Sequence, residues 1–191
     1  MTTTINASTS SGLVVSPDNS GVIALQNAGV TGLNLSSSGV ITTPNQPAIL
    51  VKGTGGGTAQ TIASSTWTKV TTCTTTTYSR GGLTYDFTNY RCVAPVTGLY
   101  NLNWVVAVNG GTVGGDPICA PYVNGATTTY FSGDSWYGAG WGTAPSYTVF
   151  RVSTMLPLNS GDYVEIWLLQ DSGASRTLYG DFTQFQMALI G

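Results

Sequence analysis

Apolar and polar residues alternate along much of this chain, and the alternation predicts β-strands. The clearest run covers residues 100–108, where apolar side chains occupy every second position: Tyr100, Leu102, Trp104, Val106 and Val108. Similar runs place Phe150, Val152 and Leu156 on one face, and later Phe185, Met187 and Leu189. No window of a dozen residues keeps a helical period, so the pattern predicts an all-β protein.

A tight turn is predicted where Asn159-Ser-Gly161-Asp162 separates two apolar runs. Gly161 and Asp162 supply the turn chemistry, and we expect the Asp162 carboxylate to accept nearby backbone N–H bonds. The following strand alternates, with Val164, Ile166 and Leu168 on one face and Tyr163, Glu165 and Trp167 on the other.

The first part of the chain differs in composition from the rest. Residues 1–50 contain no aromatic residue, and Asp18 is their only charged residue. Short apolar steps recur behind Ser-Gly or Thr-Gly at residues 11, 20, 31 and 38, which indicates an imperfect strand-and-turn repeat. Strands this short need a partner surface. We therefore predict an extended N-terminal β-arm at residues 1–52, with a disordered Ser/Thr tail as the alternative, and a knob at residues 53–191.

The composition argues against several classes of function. Only 7% of the 191 residues are charged, against a usual value of about 25%. The six Lys and Arg residues form no basic run, which argues against nucleic-acid binding, and no apolar run is long enough to span a membrane. The N-terminus does not resemble a signal peptide, so we expect synthesis in a cytoplasm.

Catalysis is hard to place, because the chain has no histidine. The remaining carboxylate pairs, Asp162 with Glu165 and Asp171 with Asp181, come with no predicted cleft. The loop residues Asp116 and Asp134 lack the dense spacing of a calcium loop. We predict no enzyme, metal or cofactor. The three cysteines are expected to be buried apolar residues, and a Cys73–Cys92 bridge stays open.

Three motifs together resemble the globular head of complement component 1q and its tumour-necrosis-factor-like relatives. They are Pro95-Val-Thr-Gly98-Leu-Tyr100-Asn-Leu102, Leu156-Pro-Leu158-Asn-Ser-Gly161-Asp162-Tyr-Val164 and Phe182-Thr-Gln-Phe185-Gln-Met187-Ala-Leu189. Leu102 replaces the family's usual Phe, and Gln186 stands where a Gly is usual. The resemblance implies a ten-stranded jelly-roll β-sandwich that packs as a homotrimer, with Gly98 as a structural turn residue.

The sequence of the arm resembles, more loosely, the N-terminal sequences of virion proteins from tailed bacteriophages. This resemblance rests on Ser11-Gly-Leu-Val-Val and on Asp18-Asn-Ser-Gly21-Val-Ile-Ala-Leu-Gln26. The resemblance implies a virion protein assembled in the host cytoplasm and exposed on the particle exterior. Its attachment residues would be the apolar residues of the arm, namely Val14, Val15, Ile23, Leu25, Leu33 and Leu35.

One stretch, residues 130–142, is aromatic and rich in glycine. Tyr130, Trp136, Tyr137 and Trp141 could stack on sugar rings. The competing interpretation is that these side chains pack in a trimer interface, which favours Tyr and Trp as well.

Two functions compete. The first is a homotrimeric capsid decoration, or cement, protein whose arm binds the major capsid protein and stabilises the phage head. The second is the tip of a tail or head fibre, seated on the fibre base and binding host surface glycan. A bacterial surface or spore-coat knob is a more distant third, because a fold alone does not fix function.

Overall fold

The computed structural model describes residues 22–54, 59–109, 118–127, 135–136 and 147–191, and it is all-β, with no helix in those ranges. The chain divides into two compact units, residues 1–45 and 46–191. The described part of the first unit is an antiparallel sheet, which we call the N-terminal sheet. Its strands are β1 (Ile23–Asn27), β2 (Val30–Leu35) and β3 (Ile41–Thr42), in that order.

The second unit, which we call the knob, is a sandwich of two antiparallel sheets. Sheet I contains β4 (Ala48–Lys52), β5 (Ala59–Ile62), β7 (Thr75–Arg80), β10 (Gly98–Asn109), β13 (Ser135–Trp136), β14 (Tyr147–Leu158) and β16 (Arg176–Leu189). Sheet II contains β6 (Thr68–Lys69), β8 (Thr84–Asp86), β9 (Arg91–Val93), β11 (Ile118–Val123), β12 (Ala126–Thr127) and β15 (Tyr163–Leu169). The strand order is β13-β14-β10-β16-β4-β7 in sheet I, where β5 also pairs with β16, and β12-β11-β15-β9-β8 in sheet II, where β6 also pairs with β15.

The core lies between the two sheets, and it is formed by the strand faces that the alternation predicts to be apolar. All five alternating residues of β10 are buried: Tyr100, Leu102, Trp104, Val106 and Val108. They meet Val164, Ile166 and Leu168 of β15, together with Phe185 and Met187 of β16. The all-β jelly-roll prediction is therefore confirmed, because both sheets turn their apolar face inward.

The predicted boundary between arm and knob needs a correction. The sequence pattern places residues 48–52 in the arm, whereas in the structure β4 lies inside sheet I, between β16 and β7. Ile49 and Val51 are 3% and 0% exposed. Burial of these two side chains on the core face makes β4 part of the knob.

Candidate functional site: the apolar face of the N-terminal sheet

The N-terminal sheet is amphipathic, and its register puts the aliphatic side chains on one face. β1 pairs with β2 through Ile23–Leu35 and Leu25–Leu33, and Leu35 pairs with Ile41 of β3. Directly paired residues of an antiparallel sheet share a face. Val30 lies on the same face, because it pairs with Asn27, which is two residues after Leu25 on β1. We call this set the apolar face: Ile23, Leu25, Val30, Leu33, Leu35 and Ile41.

The opposite face of this sheet is polar. Ala24 pairs with Asn34, Gln26 with Thr31, and Asn34 with Thr42. Gln26 Nε2 donates a hydrogen bond to Thr31 Oγ1 at 3.3 Å, which places these two side chains together on that face. Apart from the position of Asn27, opposite Val30, and that of Ala24, opposite Asn34, the sheet therefore separates aliphatic from polar positions.

Local turn chemistry shapes the sheet. Ala28 and Gly29 both have positive φ, 48° and 80°, as a two-residue turn between twisted strands requires. The second connection is closed by Ser36, whose N–H donates to Val40 O at 2.9 Å and whose Oγ accepts from Val40 N at 3.0 Å.

The apolar face is largely uncovered. Ile23, Leu25, Val30 and Ile41 are 42%, 51%, 56% and 65% exposed. Exposed aliphatic side chains that form one continuous surface are typical of binding sites rather than of an ordinary protein exterior. This face can bind a partner by burying apolar area, with no further chemistry needed.

The predicted attachment residues lie on this face as far as the structure describes them. Ile23, Leu25, Leu33 and Leu35 come together, whereas Val14 and Val15 lie outside the described residues. The prediction missed Val30 and Ile41. Ile41 belongs to the fourth apolar step of the sequence repeat. Only its pairing with Leu35 shows that it shares a face with the four predicted residues.

A second feature is a groove on the outward face of sheet I. Its volume is about 330 Å³. The lining includes one cross-strand row, Arg151–Val105–Gln184–Lys52, which runs from β14 through β10 and β16 to β4. Asp181 and Phe182 form another part of the wall.

The predicted aromatic site is not located by the structure. Tyr130, Tyr137 and Trp141 lie outside the described residues, and only the backbone of Trp136, in β13, is described. Sheet II carries a different aromatic cluster, in which Tyr122 stacks on Trp167 with ring centroids 4.7 Å apart and meets the edge of Trp67 at 5.8 Å.

That cluster helps to explain how the Glu165 carboxylate can be buried, at 7% exposure. Trp167 Nε1 donates to its Oε2 at 3.0 Å, and Lys69 Nζ donates to its Oε1 at 3.1 Å. A buried carboxylate with a cation and an indole donor is a satisfied structural group. Glu165 and Asp162 thus have separate partners.

The predicted turn residues connect two of the motifs. Gly161 has φ +91°, and its N–H donates to Ala94 O at 2.8 Å, while Ala94 N–H donates to Asp162 O at 2.8 Å. A Cβ added at Gly98 would lie 2.7 Å from Gly191 O, so this position has no room for a side chain. The chain segments that carry the first two motifs therefore meet at one end of the knob.

The Asp162 carboxylate accepts hydrogen bonds from Asn124 Nδ2 at 2.8 Å and from the Asn159 N–H at 2.7 Å. These two bonds, the Asn124 bond first, lower the pKa of Asp162. Because the folded pKa is depressed, the stabilisation is complete above the unfolded pKa of about 3.9 and is lost as the pH falls through the folded pKa.

We expect Asp162→Asn to destabilise the knob by about 1 kcal/mol or more at neutral pH, because Asp162 accepts one bond at each carboxylate oxygen and the amide keeps only one oxygen, so one bond becomes neutral and the other is lost. The gap in Tm between the native chain and this variant should shrink as the pH is lowered from about 6 to about 3. Thermal unfolding followed by circular dichroism measures that gap. A gap that stays constant over this pH range would show that the carboxylate charge contributes nothing.

The cysteines offer no reactive thiol. Cys73, Cys92 and Cys119 are all buried and free, so Cys73 and Cys92 do not pair in this structure. Burial raises the pKa of Cys73 and of Cys119 to about 12, and it raises the pKa of Cys92 as well. Within the described ranges, His, Cys, Asp and Glu side chains form no group of three that could hold a metal ion. Those ranges also hold no helix long and apolar enough to span a membrane.

Comparison with known proteins identifies the fold. No protein-family model and no curated protein matches the sequence. Among solved structures, murine APRIL is similar over 76% of this chain and 99% of its own, with 16% identity and a TM-score of 0.50. Eiger TNF from S. frugiperda matches 76% of this chain and 94% of its own (12% identity, TM-score 0.47). The globular domain of zebrafish complement 1qA protein matches 76% and 98% (16% identity, TM-score 0.47).

The agreement with APRIL, at this level of identity, concerns the fold alone. Together with the two packed sheets, it establishes a jelly-roll β-sandwich similar to that of murine APRIL.

Proposed function

We propose that this protein is a non-enzymatic, homotrimeric structural protein of a tailed-bacteriophage virion, which decorates the capsid exterior and stabilises the phage head. The observation that supports the proposal most is the apolar face of the N-terminal sheet. Its exposed aliphatic side chains need a covering surface, and the major capsid protein is the partner that the resemblance of this segment implies.

Attachment through this face has a simple energetic basis. Burial of a fully exposed aliphatic side chain contributes roughly 1.5–3 kcal/mol, and four members of the face are 42–65% exposed. A single face therefore gives modest affinity. A homotrimer presents three such faces at once, and multivalency raises the overall affinity without any new contact.

The knob has an apolar patch suited to contact between copies of the chain. Leu99, Met155 and Ile190 are 37%, 57% and 49% exposed on the outward side of sheet I. Leu99 and Met155 lie on neighbouring strands, and Ile190 N–H donates to Leu99 O at 2.8 Å. An exposed aliphatic cluster at the end of a sheet is a suitable core for a subunit interface.

Removal of residues 1–45 tests the attachment. We expect residues 46–191 to fold and to keep the oligomeric state of the full chain, because the core cluster lies entirely within them. The truncated protein should no longer sediment with phage heads. Sedimentation at full occupancy would show that the N-terminal sheet is not the anchor.

A sharper test places charge on one face of the N-terminal sheet at a time. Leu25→Asp with Ile41→Asp should abolish head binding, because two carboxylates would have to be desolvated in the contact. The matched control, Ala24→Asp with Thr42→Asp, adds the same charges to the polar face and should bind heads nearly as well as the native chain. Equal binding by both double variants would contradict attachment through the apolar face.

The second function, a tail- or head-fibre tip that binds host surface glycan, is supported by the groove on sheet I, since small-molecule sites are concave and carry a few polar side chains that orient the ligand. Quantitative mass spectrometry of purified particles separates the two functions. A decoration protein is present in numbers comparable to the capsid subunits, whereas a fibre tip is present only in the few copies that the fibres require.

A further inference from the structure

The outward face of sheet I has two parts, separated by a β-bulge in β16, which we call the β16 bulge. The register of β10 with β16 shifts there, and residues 180–183 lie opposite Val106 alone. The groove with its three charged residues, Lys52, Arg151 and Asp181, lies beside this bulge. Between the bulge and the end of β16 the pairing is regular, so the side chains form straight rows across the sheet.

Two rows of paired residues cross five strands in the regular part. One row is Met155–Asn101–Ala188–Ala48–Arg80, and the other is Ser153–Asn103–Gln186–Leu50–Tyr78. Arg80, at the β7 edge, is the only charged residue in these two rows. Because contact cores between subunits are depleted in charge, this part of the face is suited to a second copy of the chain.

The apolar patch of Leu99, Met155 and Ile190, which we call the knob patch, needs a complementary surface. This requirement rests on the homotrimer of the proposed function. In a closed ring of three copies each contact is heterologous, which means that one surface of a copy meets a different surface of the next copy. Each copy must therefore carry a second exposed surface that suits the knob patch.

Tyr78 is the exposed aromatic residue that meets this requirement. Among the described side chains of the knob, three aromatic ones are exposed: Tyr78 (49%), Phe87 (38%) and Phe182 (49%). Phe87 packs on Tyr85, with ring centroids 5.0 Å apart, and Phe182 lines the charged groove. Tyr78 instead lies beside Leu50 at the end of an uncharged row.

We propose that Tyr78 of one copy packs on the knob patch of the next copy. Within one chain, Tyr78 on β7 and Met155 on β14 are four strand spacings apart, or about 19 Å, so they cannot meet. Between copies, the ring covers the flexible Met155 side chain, whose thioether packs favourably on aromatic rings. The phenol hydroxyl stays at the rim, where Asn101 and Ser153 can bond it.

Cysteine cross-linking of the full chain tests this contact. The three native cysteines are buried, so a short bismaleimide reacts first with cysteines introduced at exposed positions. We expect the double variant Tyr78→Cys with Met155→Cys to give a covalent product of three chains in denaturing electrophoresis, because each link joins one copy to the next. The matched control replaces Tyr78→Cys by Phe87→Cys and should stay at the mass of one chain.

The two single variants determine which surfaces meet. Tyr78→Cys alone and Met155→Cys alone should each stay at the mass of one chain. When the two single variants are refolded together, cross-linking should give products of two chains and none of three. Such products form because a Tyr78→Cys chain can link only to a neighbouring Met155→Cys chain.

Four results would overturn the proposal. Cross-linking of Met155→Cys alone to the same extent as the double variant would show that the knob patch meets itself. Equal cross-linking of the Phe87→Cys control would show that the patch has no preference for Tyr78. A light-scattering mass of three chains without a cross-link in the double variant would leave the homotrimer standing and place the contact elsewhere. A mass of one chain would contradict both the homotrimer and this contact.

Discussion

Tyr100→Ala is expected to destabilise the knob by about 3–5 kcal/mol, the range for truncation of a large buried aromatic side chain. Tyr100 is 0% exposed in the middle of the core cluster. Its hydroxyl donates to Val96 O at 2.7 Å, which ties the strand to the loop before it. Truncation would open a cavity and leave that carbonyl without its partner. Chemical denaturation of residues 46–191 measures the loss.

Tyr100→Phe is the matched control, because it removes only the hydroxyl. We expect a loss of about 1 kcal/mol, the net value of one hydrogen bond. Equal losses in the two variants would mean that the hydroxyl, and not the packing of the ring, supplies the stability at this position.

Gly53→Ala is expected to cost about 3 kcal/mol or more, because the added methyl group would overlap backbone atoms. A Cβ at Gly53 would lie 2.5 Å from the carbonyl carbon of Gly180 and 2.7 Å from its Cα. The Gly53 N–H also donates to Thr183 O at 2.9 Å, so the two segments cannot separate without loss of this bond. Thermal unfolding of the variant checks the expectation, and the β16 bulge is the part that must shift.

Gly32→Ala provides the control for Gly53→Ala. The nearest atom to an added Cβ there is Leu25 O at 3.7 Å, an ordinary contact. We expect the Tm of the knob to stay unchanged in this variant. If Gly53→Ala were as mild as Gly32→Ala, the close approach of Gly53 to the bulge would be contradicted.

The sequence predicted the knob well because its strands alternate strongly. Tyr100 to Val108 could face the core in only one way, and the Gly161-Asp162 turn has chemistry that is readable from residue types. The boundary at residue 52 was wrong because β4 is short and its long-range pairing with β16 leaves no local signal.

The apolar face shows what the sequence could not reveal. A bulge near Gly32 shifts the β1–β2 register by one residue, from Gln26–Thr31 to Leu25–Leu33. Without that shift Leu25 would pair with Gly32, and Leu33 and Leu35 would lie on the polar face. A one-residue bulge therefore decides whether the four predicted attachment residues meet, and residue types alone do not specify it.

The groove was missed for a similar reason. Lys52, Arg151 and Asp181 are far apart in the sequence, and only sheet I and the β16 bulge bring them to one cavity. Phe182 lies three residues before Phe185, so alternation within the closing motif places it on the face opposite the core. Its ring is 49% exposed.

The account depends on the assembly of three knobs, and the solution mass of the full chain tests this most directly. Light scattering coupled to size-exclusion chromatography should give three times the 19.8 kDa of one chain. The same ratio should hold for residues 46–191 if the knob alone forms the trimer. A mass equal to one chain at working concentrations would contradict the trimer and, with it, attachment through three apolar faces.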